Sequence, residues 1–231
     1  MVVTRRRLIA GLASSAFIGA VDIAGAQAAP AAVRPVLRRG SSGSAVVTLQ
    51  RRLAALGYWC GSADGVFGHL TQQAVWAVQK VAGLSRDGVV GARTWGALDA
   101  GRRPTPRARS GTLIEVDKSR QIVMVVVSGA LRFTLNTSTG SGERYFSGTW
   151  KTAYTPAGTY SIYSRYTSGW QDGPLGSMWR PAYWYKGWAI HGSTSIPPYP
   201  ASHGCVRVST SAMNLLYAQG LVPVGRSLVV Y

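Results

Sequence analysis

Reactive and acidic side chains are scarce in these 231 residues: two cysteines, three histidines and eight aspartates and glutamates together. Two cysteines cannot build a disulfide framework. Scattered histidines without paired carboxylates provide no ligand set, so no metal and no cofactor is expected. No run of 18 or more apolar residues follows the N-terminal segment, which excludes a later spanning helix. What is abundant is positive charge, 25 Lys and Arg giving a formal +17. Inside a cell that excess would point to nucleic acid; outside, it faces anionic wall polymers, acidic peptides or lipid head groups. The charge is spread thinly rather than gathered on one basic helix, so no nucleic-acid partner is expected. A hydrophobic share of 46% excludes global disorder, and the length suits one large domain or two smaller ones.

The N-terminus argues for export. Thr4-Arg5-Arg6-Arg7-Leu8 is a basic start, an apolar run extends to Ala20, and small residues lead through Ala24-Gly25-Ala26 to Ala29. Residues 1–29 therefore read as a signal peptide, and the arginines after Thr4 resemble a twin-arginine signal. The alternative is an uncleaved anchor, but the apolar stretch is short for a spanning helix. The expectation is an exported, extracytoplasmic protein with no stable membrane span after cleavage.

Two segments of different character follow. Within 37–100, Asp64-Gly65-Val66-Phe67-Gly68-His69-Leu70-Thr71 repeats as Asp87-Gly88-Val89-Val90-Gly91-Ala92-Arg93-Thr94. Asp-Gly makes a tight turn, and each Thr is placed to cap a following helix. Val46, Leu49, Leu53 and Leu56 have helical spacing, as do Ala74, Val75, Val78 and Val81. This predicts a small all-α, three-helix unit. Residues 101–111 form a basic, proline-containing linker. From 112 to 231 the pattern is β, with runs at 112–117, 121–127, 131–137, 158–164, 187–191 and 227–231. One late helix is expected from Thr210 to Gln219, capped by Ser209 and stopped by Gly220. The fold class expected is multidomain, the helical unit followed by a β-rich α+β domain.

The scarce groups converge near the end. Ile190-His191-Gly192 is followed, after nine residues, by Ser202-His203-Gly204-Cys205-Val206-Arg207. A lone Cys is commonly a small buried hydrophobe and a lone His a hydrogen-bonded structural residue. Here two of three histidines and one of two cysteines stand together, with glycines where backbone must approach a reacting carbonyl. An imidazole beside a thiol is what cysteine acyl transfer requires. Cys60 is taken as a free, buried thiol.

Both segments resemble known families. Gly40, Val46, Leu49-Gln50, Leu53, Leu56-Gly57-Tyr58, both D-G-V-x-G copies, Ala74-Val75, Gln79, Gly83-Leu84 and Thr94-Trp95 resemble the peptidoglycan-binding domain of cell-wall enzymes. The H-G and S-H-G-C-V-R motifs, with Thr155-Pro156-Ala157-Gly158 and Tyr160, resemble the L,D-transpeptidase (YkuD-type) catalytic domain. That resemblance implies that Cys205 is the nucleophile and His191 its base, oriented by a backbone carbonyl of Gly192 or Ser193. It implies an oxyanion hole around Gly204 and Cys205, with His203 shaping the hole, orienting substrate or supporting the loop. Ser202, Tyr183, Tyr185 and Arg207 are expected at the substrate, Arg207 binding a stem carboxylate or serving in an ion pair. The aromatics from Tyr166 to Trp188 are expected to mix a mobile flap with ordinary core. The implied reaction is cross-linking of peptidoglycan stem peptides through a Cys thioester. The alternatives are L,D-carboxypeptidase trimming of tetrapeptide stems, or wall binding without catalysis.

Overall fold

The computed structural model describes residues 1–2 and 34–231, of which Arg34–Tyr231 form one compact unit. The proposed export signal lies outside the described residues. Three helices come first, α1 (Ser44–Ala55), α2 (His69–Val81) and α3 (Ala92–Asp99). Each ends the same way, with a glycine at positive φ one residue past the cap: Gly57, Gly83 and Gly101. The N–H groups of these glycines and of the residues after them turn back onto the last helical carbonyls, which would otherwise be orphaned.

The repeat has a different logic from the one expected. The helices start on Gly68 and Gly91, with no side-chain cap, so Thr71 and Thr94 lie within the first turn, buried. Each hydroxyl instead joins an amide from the preceding helix. Gln50 Nε2 lies 2.8 Å from Asp64 Oδ1, 3.1 Å from Val66 O and 3.0 Å from Thr71 Oγ1, while its Oε1 accepts from Gly65 N. Gln79 repeats this on Asp87, Val89 O, Thr94 and Gly88 N. A buried loop polar group needs a partner, and one glutamine per repeat supplies it.

The remainder is two sheets, a hairpin and a helix. β1 (Leu113–Asp117), β2 (Ile122–Val127), β3 (Ala130–Asn136), β6 (Gly158–Ser161) and β12 (Ser227–Val230) form one sheet in the order β3-β2-β1-β12-β6. β7 (Ser164–Arg165), β9 (Met178–Tyr185), β10 (Trp188–Ser193) and β11 (Val206–Ser209) form the second in the order β11-β10-β9-β7, with β8 (Trp170–Gln171) on β9. β4 (Arg144–Ser147) and β5 (Thr149–Thr152) stand apart as a hairpin. α4 (Thr210–Ala218) follows β11 directly, and Ser209 caps it by accepting from Ala212 N. The expected class, a helical unit followed by a β-rich α+β unit, is the one observed.

Two departures bear on the site. The aromatic stretch expected as part flap contains strand β9, whose Ala182 and Trp184 point into the core; alternating aromatic and small residues fit a half-buried strand. The exposed aromatic hairpin is β4–β5, with Phe146 and Trp150 packed edge to face.

Strand β2 is apolar on both faces because it serves two cores. Val123 and Val125 face the second sheet, whereas Ile122 and Met124 pack into the helical core. Gly57 O accepts from Thr134 N at 2.7 Å, tying the end of α1 to the edge of β3. Even the proline-containing stretch is held: Pro104 and Pro106 are buried, and the Glu115 carboxylate accepts from the N–H groups of Arg107 and Ala108.

Candidate active site

β10 and β11 run parallel, with Ile190 beside Val206 and His191 beside Arg207. Side chains alternate across a strand. Since Ile190, Val206 and Val208 point into the core, His191 and Arg207 fall on the opposite face. Cys205, one residue ahead of β11 and level with Ala189, falls on that face too. Antiparallel β9 sets Tyr183 beside Ala189, completing a row. The two halves of the sequence motif meet because two short parallel strands are neighbours.

His191 is buried, and its Nδ1 lies 2.9 Å from Gly192 O. A carbonyl only accepts, so Nδ1 carries the hydrogen and Nε2 is left bare. Burial, joined by the positive charge of Arg207, pushes the imidazole down to about 4 against the pull of the Gly192 carbonyl. It is therefore neutral near pH 7. Cys205 is half-buried, with Sγ 3.9 Å from Gly187 O. Burial pushes its thiol up, partly offset by a backbone hydrogen bond from Ala189 and by Arg207. The resting pair is thus thiol and neutral imidazole, not thiolate and imidazolium.

Two glycines are sterically required. A Cβ on Gly192 would stand 2.9 Å from both Thr210 Cα and Trp179 Cβ. At Gly204, φ is +136° and a Cβ would stand 2.5 Å from Trp188 Nε1 and 2.6 Å from Tyr154 O. These two atoms hydrogen-bond each other at 3.0 Å, so the glycine lies against a closed contact.

Several expectations need correction. The Gly204 N–H is not free for an oxyanion, because it donates to Ser202 Oγ at 2.9 Å. Ser202, expected at the substrate, is buried, and its hydroxyl in turn donates to Cys205 O at 2.7 Å, bracing the loop from within. Of the two backbone carbonyls expected to orient His191, that of Gly192 meets Nδ1; the Ser193 side chain turns away, its Oγ 3.1 Å from both Ser195 O and Ser195 N. His203 is exposed and sits edge-on to Tyr145 of the β4–β5 hairpin, at 4.7 Å between ring centroids. Tyr185 is taken up in an aromatic stack with Tyr160, Trp184 and Trp188. Tyr183 shares the face of Cys205, and its phenol is pushed up chiefly by burial, then by Tyr166 and by Cys205 in its ionised form. Arg207 is half-buried, with Nη1 3.3 Å from Ala201 O and no carboxylate partner among the described residues. Cys60 is free and buried, its thiol pushed up to about 11 chiefly by desolvation.

Thr155 carried no assigned role, although it opens the Thr155-Pro156-Ala157-Gly158 motif. It is buried, accepts from Gly140 N and donates to Gly204 O at 2.7 Å, holding the Cys205 loop from the opposite side.

Residues 111–230 match the L,D-transpeptidase catalytic domain, and residues 42–98 match a peptidoglycan binding domain. A crystal structure of an L,D-transpeptidase from Xylanimonas cellulosilytica DSM 15894 is 49% identical, with a TM-score of 0.82 over 88% of this chain and all of that one. An L,D-transpeptidase from Stackebrandtia nassauensis, 22% identical, shares the fold at a TM-score of 0.50, over 84% of this chain and 94% of its own. The helical segment is 46% identical over 67 residues to the N-acetylmuramoyl-L-alanine amidase CwlL of Bacillus licheniformis, covering 28% of this chain and 19% of that protein. It is 48% identical over 60 residues to the spore cortex-lytic enzyme of Bacillus subtilis, covering 26% and 20%. This chain therefore spans about a fifth of the length of those curated relatives. The chain belongs to the L,D-transpeptidase (YkuD) family.

Proposed function

We propose that this protein is an exported L,D-transpeptidase that cross-links peptidoglycan stem peptides through a thioester on Cys205. The observation that carries this reading is the shared face of Cys205 and His191, with Nδ1 committed to Gly192 O and Nε2 bare. His191 Nε2 takes the thiol proton as Sγ attacks a donor-stem carbonyl, a transfer that needs a neutral base at working pH. The tetrahedral intermediate collapses, the leaving amine takes the proton from Nε2, and the acyl group remains on sulfur. His191 then removes a proton from the acceptor amine as it attacks the thioester; the C–S bond breaks, and the Cys205 sulfur leaves and takes that proton back from Nε2. Arg207, a guanidinium with no carboxylate partner among the described residues, is suited to a carboxylate of the donor. Residues 42–98 hold the enzyme on its polymer, and the large excess of Lys and Arg that remains after the signal is removed adds non-specific attraction to anionic wall polymers.

Mass spectrometry after incubation with a tetrapeptide-stem donor tests the reading. The wild type is expected to gain an acyl mass at Cys205 and to release cross-linked dimers. Cys205→Ala is expected to gain none, and an adduct persisting on that variant overturns the mechanism. Tripeptide product without dimers would instead identify a carboxypeptidase, with water as acceptor.

A further inference from the structure

The loop joining the two halves of the motif runs from Thr194 to Ala201 and contains Ile196-Pro197-Pro198-Tyr199-Pro200. Three of those five residues lack an N–H, so the protein can hold this stretch chiefly through its carbonyls. Each anchored carbonyl meets a donor from elsewhere. Ile196 O accepts from Gln73 Nε2 at 3.3 Å and from Asn136 Nδ2 at 3.1 Å. Pro198 O accepts from Arg86 Nη1 at 2.9 Å, and Tyr199 O from Ser138 Oγ at 2.8 Å. Gln73 and Arg86 belong to the helical unit. A segment matched to wall binding thus holds the loop that connects His191 to Cys205.

The contact is built into the interior rather than laid on the surface. Gln73, Lys80, Asn136 and Ile196 are 6%, 4%, 3% and 3% exposed. Lys80 Nζ donates to Gln121 O at 2.7 Å, to Thr137 O at 3.0 Å and to Asn136 Oδ1. Burial and then Arg86 push this amine down to about 6, while three acceptors match the three hydrogens of its charged form. With Oδ1 turned to Lys80, Asn136 Nδ2 faces Gln73 Oε1 at 2.6 Å as well as Ile196 O. The network continues to the site: Thr137 Oγ1 donates to Arg207 O at 2.7 Å, and Ser138 exchanges backbone hydrogen bonds with Arg207. A buried network of this kind specifies one arrangement, because any slip leaves charged or polar groups unpaired.

We propose that Gln73, Lys80 and Arg86 of the helical unit are positioning residues for acyl transfer. With Asn136 they set the Thr194–Ala201 loop, and so the donor-binding side of the Cys205–His191 pair. The helical unit is then part of the catalytic apparatus as well as a wall anchor. This rests on the acyl-transfer reading above.

The test uses the full chain with Gln73→Ala, with Arg86→Ala as a surface substitution that leaves the fold intact, and with Arg86→Lys as its conservative counterpart. Three quantities are measured: amide hydrogen exchange at Ala201 and Ser202, acylation by a tetrapeptide donor, and alkylation of Cys205 by iodoacetamide. Gln73→Ala is expected to speed exchange and to lower acylation kcat/KM about tenfold each, the equivalent of one lost hydrogen bond. Alkylation, which needs no donor site, is expected within about twofold of wild type. Arg86→Ala is expected to move the first two quantities about threefold in the same direction, and Arg86→Lys to restore them. Wild-type exchange in both alanine variants, or wild-type acylation despite faster exchange, overturns the proposal. So does an equal fall in alkylation, which would place the effect in the thiol itself. Should the wild type form no acyl-enzyme, the acyl-transfer reading falls, and exchange alone decides whether the helical unit holds the loop.

Discussion

At Cys205 the protein keeps a protonated thiol on the same sheet face as an imidazole that stays neutral, so activation is deferred until the proton moves during attack. That makes a specific pH profile. The base fails only when His191 is protonated, so the acid limb of acylation is expected to inflect near 4, not near the ordinary histidine value of about 6.5. Rates of thioester formation across that range check it. Stability follows the same group. The unfolded chain binds the proton first, so the stability present above about pH 6.5 is lost as pH falls toward 4. His191→Asn is expected to flatten this segment of the Tm–pH curve. Gly204 is the other residue with a sharp expectation. Alanine there meets Trp188 and Tyr154 at positive φ, costing at least about 2 kcal/mol. It also displaces Cys205, with a loss in acylation of about a hundredfold. The chemical types at this site were legible from Ile190-His191-Gly192 and Ser202-His203-Gly204-Cys205. The use of the Gly204 N–H was not, because a serine two residues away can either meet substrate or turn inward, and only burial decides.

At the scale of elements, the repeat shows how far a pattern carries. Asp-Gly marked two turns, and both glycines have positive φ. The threonines resembled helix caps because Thr is a good one. In the fold a glycine takes the cap position, and the threonine completes a glutamine-centred network buried under the turn. Gln79→Ala leaves Asp87, Thr94, Val89 O and Gly88 N short of a partner, so a loss of about 2–3 kcal/mol is expected by chemical denaturation. Gln50→Ala is expected to match it. Strand β9 was illegible for a related reason. Its tyrosines and tryptophans suit a flap, a core or a strand equally well. Pairing with β10 on one side and β7 on the other resolves the choice.

For the whole molecule, the apolar outer face of β2 sets the main expectation. Removing residues up to 103 uncovers Ile122 and Met124, each worth about 1.5–3 kcal/mol when buried. The truncated chain is therefore expected to unfold at lower denaturant than the full one, or to aggregate, as sedimentation would show. The charge makes a second expectation. Retention on insoluble peptidoglycan is expected to weaken as salt rises, by the part owed to the net positive charge. What survives at about 1 M salt, where screening acts within roughly 3 Å, reports recognition by the helical unit itself.

The sequence alone determined which groups exist to do chemistry, because reactive side chains are few and their spacing is local. It also determined the order of helical and β-rich segments, since periodicity is a property of neighbouring residues. Tertiary structure decided what depends on residues far apart. Parallel pairing of β10 with β11 puts His191 and Cys205 on one face, and burial selects the Gly192 carbonyl and removes the Gly204 N–H. Gln73 of α2 and Arg86 just after it, 123 and 112 residues from their partners, reach the loop between them. No local pattern encodes that contact, because its energy comes from polar groups that find partners only once the two cores have closed on β2.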